Sequence, residues 1–286
     1  MKFPFGILLG CLLTIGLPFC EASEYKHELT VCAIFKNETK WLPEWIDFHL
    51  KQGVEHFYLY DNESDDHPEV VLKPYLEKGQ VEIIPWNDRF ATTWHWNQIQ
   101  QKAYSDCIEK IRDTSKWCAF IDIDEYLFCP DKTSLPTKLK EYDEFAAVVV
   151  NWVMYGTSDI QKIPQGKKMT DVLVMRPPLS YSRNVYVKSI VKPKCVLTCP
   201  NCHIFAFKDQ RPKLKCVTEN KESCTWQCTK KNSVKVFRIN HYYTRDKDFF
   251  ENVKLKQRNW KNIADHFQDE TKELNQEYDP ILSEAQ

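Results

Sequence analysis

Glycine is scarce: 7 of 286 residues, with neither G-x-G-x-x-G nor G-x-x-x-x-G-K-[ST] anywhere in the chain. That argues against a fold that cradles phosphates on a glycine-rich loop. An excess of one charge is missing too. The net charge is −1 with 28% charged residues, which speaks against both a polyanion binder and a disordered chain, so no nucleic-acid partner is expected. There is no internal repeat, which excludes a solenoid. What is present is 43% hydrophobic and 13% aromatic content, ample for one sizeable core.

The one long apolar run lies at the start. Lys2 precedes residues 3–20, which are interrupted by Pro4, Gly6, Gly10, Gly16 and Pro18 and end in Cys20-Glu21-Ala22. Residues 1–22 therefore read as a signal peptide. A signal anchor is the alternative, since the run approaches the length that spans a bilayer. Either places the remaining single domain, 23–286, in the secretory pathway, in the lumen of the endoplasmic reticulum or Golgi as a type II membrane protein or secreted, or alternatively in a bacterial cell envelope. Cysteine usage agrees with export. Of 12 cysteines, Cys11 and Cys20 fall in the leader, and Cys195, Cys199, Cys202, Cys216, Cys224 and Cys228 crowd residues 195–228. Cys199-x-x-Cys202 beside His203 has zinc-ligand spacing. The even count and the exported look favour disulfides, whose pairing stays open.

After the leader, apolar strand patterns and helical patterns alternate. Strands are expected at residues 30–35, 56–60, 81–85 and 117–123, and helices at 41–52, 70–78 and 94–112. This alternation signals an α/β fold with a mainly parallel sheet. Ligands in such sheets sit beyond the carboxyl ends of the strands. Here those ends carry Asn37-Glu38, Asp61-Asn62, Pro85-Trp86 and Asp122-x-Asp124. Further on, residues 145–153 read as a buried strand, 185–192 as an exposed edge strand, 234–243 as a strand with a polar end, and 248–259 as a basic amphipathic helix. The last twenty or so residues read as a peripheral helix and tail.

The chemistry concentrates in Phe120-Ile121-Asp122-Ile123-Asp124-Glu125. On an extended chain Asp122 and Asp124 would share one face. Two adjacent carboxylates repel unless a cation lies between them. A hard divalent ion, Mn²⁺ or Mg²⁺, is the natural one, and such ions also hold phosphates. The blander alternative is a strand end whose acids face water.

Six blocks together resemble glycosyltransferase family 92: Cys32 to Glu38, Trp45 to His49, Gly53 to Asn62, Phe120 to Glu125, Lys188 to Val191, and Asn240-His241-Tyr242. The resemblance, over roughly residues 30–259, implies a GT-A type fold with a cysteine-rich insertion, a nucleotide-sugar donor, a divalent metal and inverting transfer. It implies that Asn37, Glu38, Asp61, Asn62 and Asp122 receive the UDP-sugar, and that Asp122, Asp124 and His241 hold the metal. His241 as a ligand would favour Mn²⁺. Arg245, Lys254 and Arg258 lie just downstream as candidates to neutralise a diphosphate, with a solvated helix face the favoured reading for the last two. Both asparagines begin glycosylation sequons, and a glycan in the nucleotide site would block it, so neither is expected to be modified. The expected activity is hexose transfer, with galactose a candidate, to a glycan or glycoconjugate. An inverting displacement also needs a base for the acceptor hydroxyl. Asp159, Glu125 and His203 are the candidates, Asp159 first because it follows the strand at 145–153. Trp94, Trp96, Trp152 and Tyr155 are candidates for stacking on sugar faces. Two other functions compete: an inactive nucleotide-sugar or glycan-binding protein, and a glycoside hydrolase working through a carboxylate pair.

Overall fold

A computed structural model describes residues 24–88, 93–208, 215–254 and 270–283, with backbone alone for residues 93–95. The expected leader, the side chain of Trp94 and Arg258 lie outside the described residues. Among those that are described, no helix is long and apolar enough to cross a membrane.

The first half alternates as the hydrophobic pattern requires: β1 (His27–Phe35), α1 (Leu42–Lys51), β2 (His56–Asp61), α2 (Pro68–Glu77), β3 (Val81–Pro85), α3 (Thr93–Ile111) and β4 (Ser115–Phe120). In α1, Pro43 and Glu44 suit the first turn, and Leu42, Trp45, Ile46 and His49 form one buried stripe. Gly53 ends the turn that follows at φ +93°, and a Cβ there would stand 2.8 Å from Pro136. Then come β5 (Glu125–Phe128), α4 (Leu135–Leu139), β6 (Ala147–Met154), α5 (Met169–Val172), β7 (Met175–Arg176), β8 (Val187–Val191), β9 (Val196–Thr198), β10 (Ala206–Phe207), β11 (Cys216–Val217), β12 (Arg238–His241), α6 (Lys247–Phe249) with a π turn over Phe250–Lys254, and β13 (Glu277–Tyr278).

The main sheet runs β3-β2-β1-β4-β8-β6-β12-β5, with β11 added beside β6. Strands β3, β2, β1 and β4 are parallel, so their carboxyl ends share one edge. Strand alternation sends Leu29, Val31, Ala33 and Trp117 to the face packed with Trp45 and Leu72 of α1 and α2. Cys32, Ile34, Cys118 and Phe120 go to the opposite face, against Tyr104 and Ile108 of α3. The expected α/β fold with a mainly parallel central sheet is what the chain adopts.

Three expectations need correction. The strand at 117–123 stops at Phe120, so Asp122 and Asp124 lie in the turn between β4 and β5 rather than on one extended face. Strand β8 is no exposed edge: it pairs antiparallel with both β4 and β6, and all five of its residues are buried. The tail is not peripheral. Leu274 is fully buried, and β13 pairs with β7. The described cysteines, all ten beyond the leader, stand as free thiols in the structure, so the expected disulfides are not shown by it.

Candidate active site

The turn after β4 sets the site. Asp124 and Glu125 are buried and Asp122 half-buried, and each acid finds a different partner. Asp122 accepts from Gln100 Nε2 at 2.8 Å through one oxygen and from Lys188 Nζ at 2.9 Å through the other. Glu125 turns back beneath it, accepts the Asp122 backbone N–H at 3.1 Å and stands 3.8 Å from Lys188. Burial pushes the Glu125 carboxyl well up, against the opposing pull of Lys188. Lys188 is itself pushed up: burial would lower it, but Asp122 and Glu125 outweigh burial.

Asp124 faces the other way. One oxygen lies 3.5 Å from His241 Nε2, and the other accepts from Lys254 Nζ at 3.0 Å. Burial opposes its ionisation, yet Lys254, His241 and Arg245 hold the carboxyl well below the usual range. His241 arrives because β12 runs antiparallel to β5, with His241 opposite Glu125. Its ring packs 4.5 Å from that of Trp152, centroid to centroid, and its Nδ1 is buried without a hydrogen-bond partner among the described residues. Beyond Lys254, Arg245 is fully buried at φ 51°, sits over the Trp41 and Phe249 rings and pairs with Glu38 at 2.6 Å. Burial pushes Glu38 upward in spite of Arg245. The result is a pair of cations, Arg245 and Lys254, flanked by the carboxylates of Glu38 and Asp124.

His203 reaches the same neighbourhood from the cysteine-rich segment. Asn201 Oδ1 accepts the His203 and Ile204 backbone N–H groups, and Ser189 Oγ donates to the His203 carbonyl at 2.6 Å. Its ring lies 5.4 Å from Trp152, and Trp152 in turn stacks on Tyr186. His203 Nδ1 is 2.8 Å from the Val187 carbonyl, so it carries the proton and leaves a lone pair on Nε2. Burial, reinforced by Lys188, pushes the ring down to about 4, so it is neutral at pH 7.

The other candidates sit apart from this cluster. Asp159 is exposed, at φ 59°, and paired with Lys247 at 2.8 Å. Asn62 is buried and spends its amide on the Trp86 and Asp88 carbonyls, both at 2.7 Å. Asn37 is exposed at φ 57°, with its Oδ1 accepting from the Asp65 N–H at 2.9 Å. Asp61 accepts from the Ser64 N–H. These three knit the loops at the strand ends to one another, the role that turn asparagines and aspartates usually fill. Tyr155 is buried and hydrogen-bonded within the core. The residue given no role from sequence is Lys188, a lone lysine inside an apolar strand, and that isolation was its signal.

The described residues contain no cluster of three or more His, Cys, Asp or Glu side chains able to hold a metal, the Cys199-Cys202-His203 zinc reading included. Asp124 and His241 still fit a divalent ion in part. Neighbouring ligands of an octahedral ion at about 2.1 Å stand roughly 3 Å apart, close to the 3.5 Å that separates these two groups. Two protein ligands leave most of the shell to waters and phosphate oxygens, as Mg²⁺ and Mn²⁺ sites commonly do.

Fold and site together define an α/β protein that gathers acids, a histidine and two lysines at the carboxyl edge of parallel strands, where such sheets bind ligands. The model for glycosyltransferase family 92 matches residues 27–277, and the chain belongs to that family. It is 32% identical over 116 residues to glycosyltransferase family 92 protein Os08g0121900 of Oryza sativa subsp. japonica, a match covering 41% of this chain and 19% of that one. It is 38% identical over 111 residues to the galactan beta-1,4-galactosyltransferase GALS3 of Arabidopsis thaliana, covering 36% of this chain and 21% of that one. With the beta-1,4-galactosyltransferase galt-1 of Caenorhabditis elegans it shares 28% over 109 residues, covering 36% and 26%. The chain thus spans less than a third of the length of these relatives. Among solved structures, S. aureus TarS 1-349 in complex with UDP gives a TM-score of 0.39 at 15% identity, over 58% of this chain and 47% of that one. A likeness that slight carries no argument.

Proposed function

We propose that this chain is an inverting glycosyltransferase that moves a hexose from a UDP-sugar to a glycan acceptor, with a divalent ion, Mn²⁺ before Mg²⁺, at Asp124 and His241. The observation that carries the reading is the meeting of Asp124 and His241 across the β5–β12 pair in a chain of family 92. Galactose is the donor sugar to test first, because two relatives are named as galactosyltransferases. The N-terminal apolar run supports an exported enzyme, cleaved from its leader or anchored by it.

Breaking the anomeric C–O bond leaves charge on a nucleoside diphosphate, and the bound ion would neutralise part of it. Lys254 supplies further positive charge: it now rests on Asp124 and can be shared with an anionic donor, while buried Lys188 holds Asp122 in place. Arg245 holds Glu38 in place behind Lys254. For the acceptor proton, the three candidates differ in their surroundings. Glu125 is sealed beneath the turn, and Asp159 pairs with Lys247 at the surface. His203 keeps an Nε2 lone pair beside Trp152, which supports it as the base in this reading.

The first test is calorimetric binding of UDP with Mn²⁺ and then with EDTA. Metal-dependent binding that disappears in Asp122→Asn/Asp124→Asn is the expected result. Folded protein that binds UDP in neither condition sinks the reading. Given binding, UDP-galactose turnover should fall about 10²-fold or more in His203→Gln, with UDP affinity preserved. Activity without metal or nucleotide would point instead to a glycoside hydrolase.

A further inference from the structure

We infer that Cys216 and Cys224 form a disulfide that closes a hairpin anchoring the entry to β12. The two lie directly opposite each other. Val217 and Ser223 form an antiparallel bridge, which makes 216 and 224 the next pair outward. The Cys224 N–H donates to the Cys216 carbonyl at 2.9 Å, and inward of the bridge the Thr218 N–H donates to the Glu222 carbonyl at 2.8 Å. Opposed residues of a hydrogen-bonded pair stand about 5.5 Å apart at Cα, on the same face of the ladder. A disulfide accepts Cα separations of roughly 4.4–6.8 Å. Both cysteines are buried, Cys216 at 7% and Cys224 at 6% exposure, and the Cys224 thiol rests on the Trp226 carbonyl at 3.3 Å, a contact it gives up when the bond forms.

The hairpin has a task. Lys221, at φ 61°, closes a loop of Glu219, Asn220 and Lys221. Glu219 at its tip is buried and organises the segment ahead of β12. Its carboxylate accepts the Lys235, Val236 and Phe237 backbone N–H groups at 3.0, 2.8 and 3.0 Å and the Ser233 hydroxyl. Tyr142 Oη donates to its carbonyl at 2.6 Å. One residue past Phe237, β12 begins, and it ends at His241. A covalent tie between residues 216 and 224 therefore fixes the hairpin on which that strand's approach hangs.

The chemistry is thiol–disulfide exchange with a small disulfide such as glutathione disulfide. One cysteine thiolate displaces a glutathione to form a mixed disulfide, and the second attacks the protein sulfur and releases the other glutathione. Two protein thiols are oxidised, one glutathione disulfide is reduced, and the two protons leave on the glutathione thiols.

Lys221 makes the test direct, because trypsin cuts between the two cysteines. Full-length protein equilibrated with glutathione disulfide, alkylated without reductant and digested, should yield Cys216–Lys221 joined to the peptide carrying Cys224, the pair separating on reduction. Tandem mass spectra distinguish Cys224 from Cys228 on that second peptide. Two alkylated, unlinked peptides would overturn the inference, as would a bond from either cysteine to any other. In Cys224→Ser, Cys216 should become alkylable without reductant. A Cys216 that stays blocked there also overturns it.

Discussion

Lys188 carries more of the site than any acid does. A lysine exposed at only 1% survives in a sheet centre because Asp122 and Glu125 surround its ammonium group. Lys188→Met keeps the shape and removes the charge, leaving Glu125 buried without its cation. Breaking a buried pair in this way costs about 3 kcal/mol, measurable by urea denaturation. The loss should depend on pH. Glu125 has a native pKa above its unfolded value, so ionised Glu125 costs stability at neutral pH, and the cost is relieved as pH falls through the native value toward the unfolded one near 4.5. The deficit of the variant should therefore be smallest near pH 4.5, where Glu125 is protonated in both proteins, and grow as pH rises past the native value. A deficit independent of pH would mean that lost packing, not charge, is the cause. At this scale the sequence was only half legible. Which residues are polar at the strand ends could be read directly. Whether an asparagine faces a ligand or a neighbouring loop could not, because Asn62 finds its carbonyl partners 24 and 26 residues away.

Among the elements, local periodicity placed α1 to α3, β2 and β3 within a residue or two and β1 within three, since each buries one continuous apolar face or run. It misplaced β8, where Lys188 and Ser189 look like solvent positions but serve Asp122 and the His203 carbonyl. It also missed the strap at 270–283, whose anchors are long-range. Arg238 and Arg176 converge on Asp279, at 2.8 and 2.6 Å. Burial would raise the Asp279 carboxyl, yet the two guanidinium groups hold it below the ordinary value. A depressed carboxylate contributes stability that is fully present above its unfolded value of about 3.9 and lost as pH falls through the native one. Acid should therefore loosen the strap first, and Asp279→Asn should loosen it at pH 7. Amide exchange in residues 270–283 should quicken in both cases while β1 and β4 stay protected. Gly156 tests the same contact from the other side. A Cβ there would stand 2.1 Å from Asn275 Oδ1 and 2.9 Å from the Leu274 backbone. Gly156→Ala should cost about 1–3 kcal/mol by displacing the strap, and no measurable loss would mean that the strap yields freely.

For the molecule as a whole, the site is assembled by topology. Gln100 comes from α3, the acids from the β4–β5 turn, Lys188 from β8, His203 from the cysteine-rich segment, His241 from β12 and Lys254 from the π turn. The sequence exposed the pieces because parallel strands must put their carboxyl ends on one edge. It could not show which cation meets which acid, since that depends on β12 crossing to β5. Lys254 is the piece that couples charge to ligand state. It sits on the Asp124 oxygen that a divalent ion would compete for, 3.0 Å away, and packs 5.1 Å over the Tyr243 ring. Replacing it by glutamine removes that competitor and also one positive charge from the edge where a diphosphate would lie. The two effects have opposite signs for two ligands. Lys254→Gln should bind Mn²⁺ alone more tightly, by up to about tenfold if the ammonium contact contributes on the order of 1 kcal/mol. It should bind UDP in the presence of Mn²⁺ more weakly by a similar factor. Calorimetry of both ligands on wild type and variant separates the cases. If Mn²⁺ and UDP weaken together, Lys254 acts only by holding Asp124 in place, and its part as a counter-ion yielding to metal is wrong.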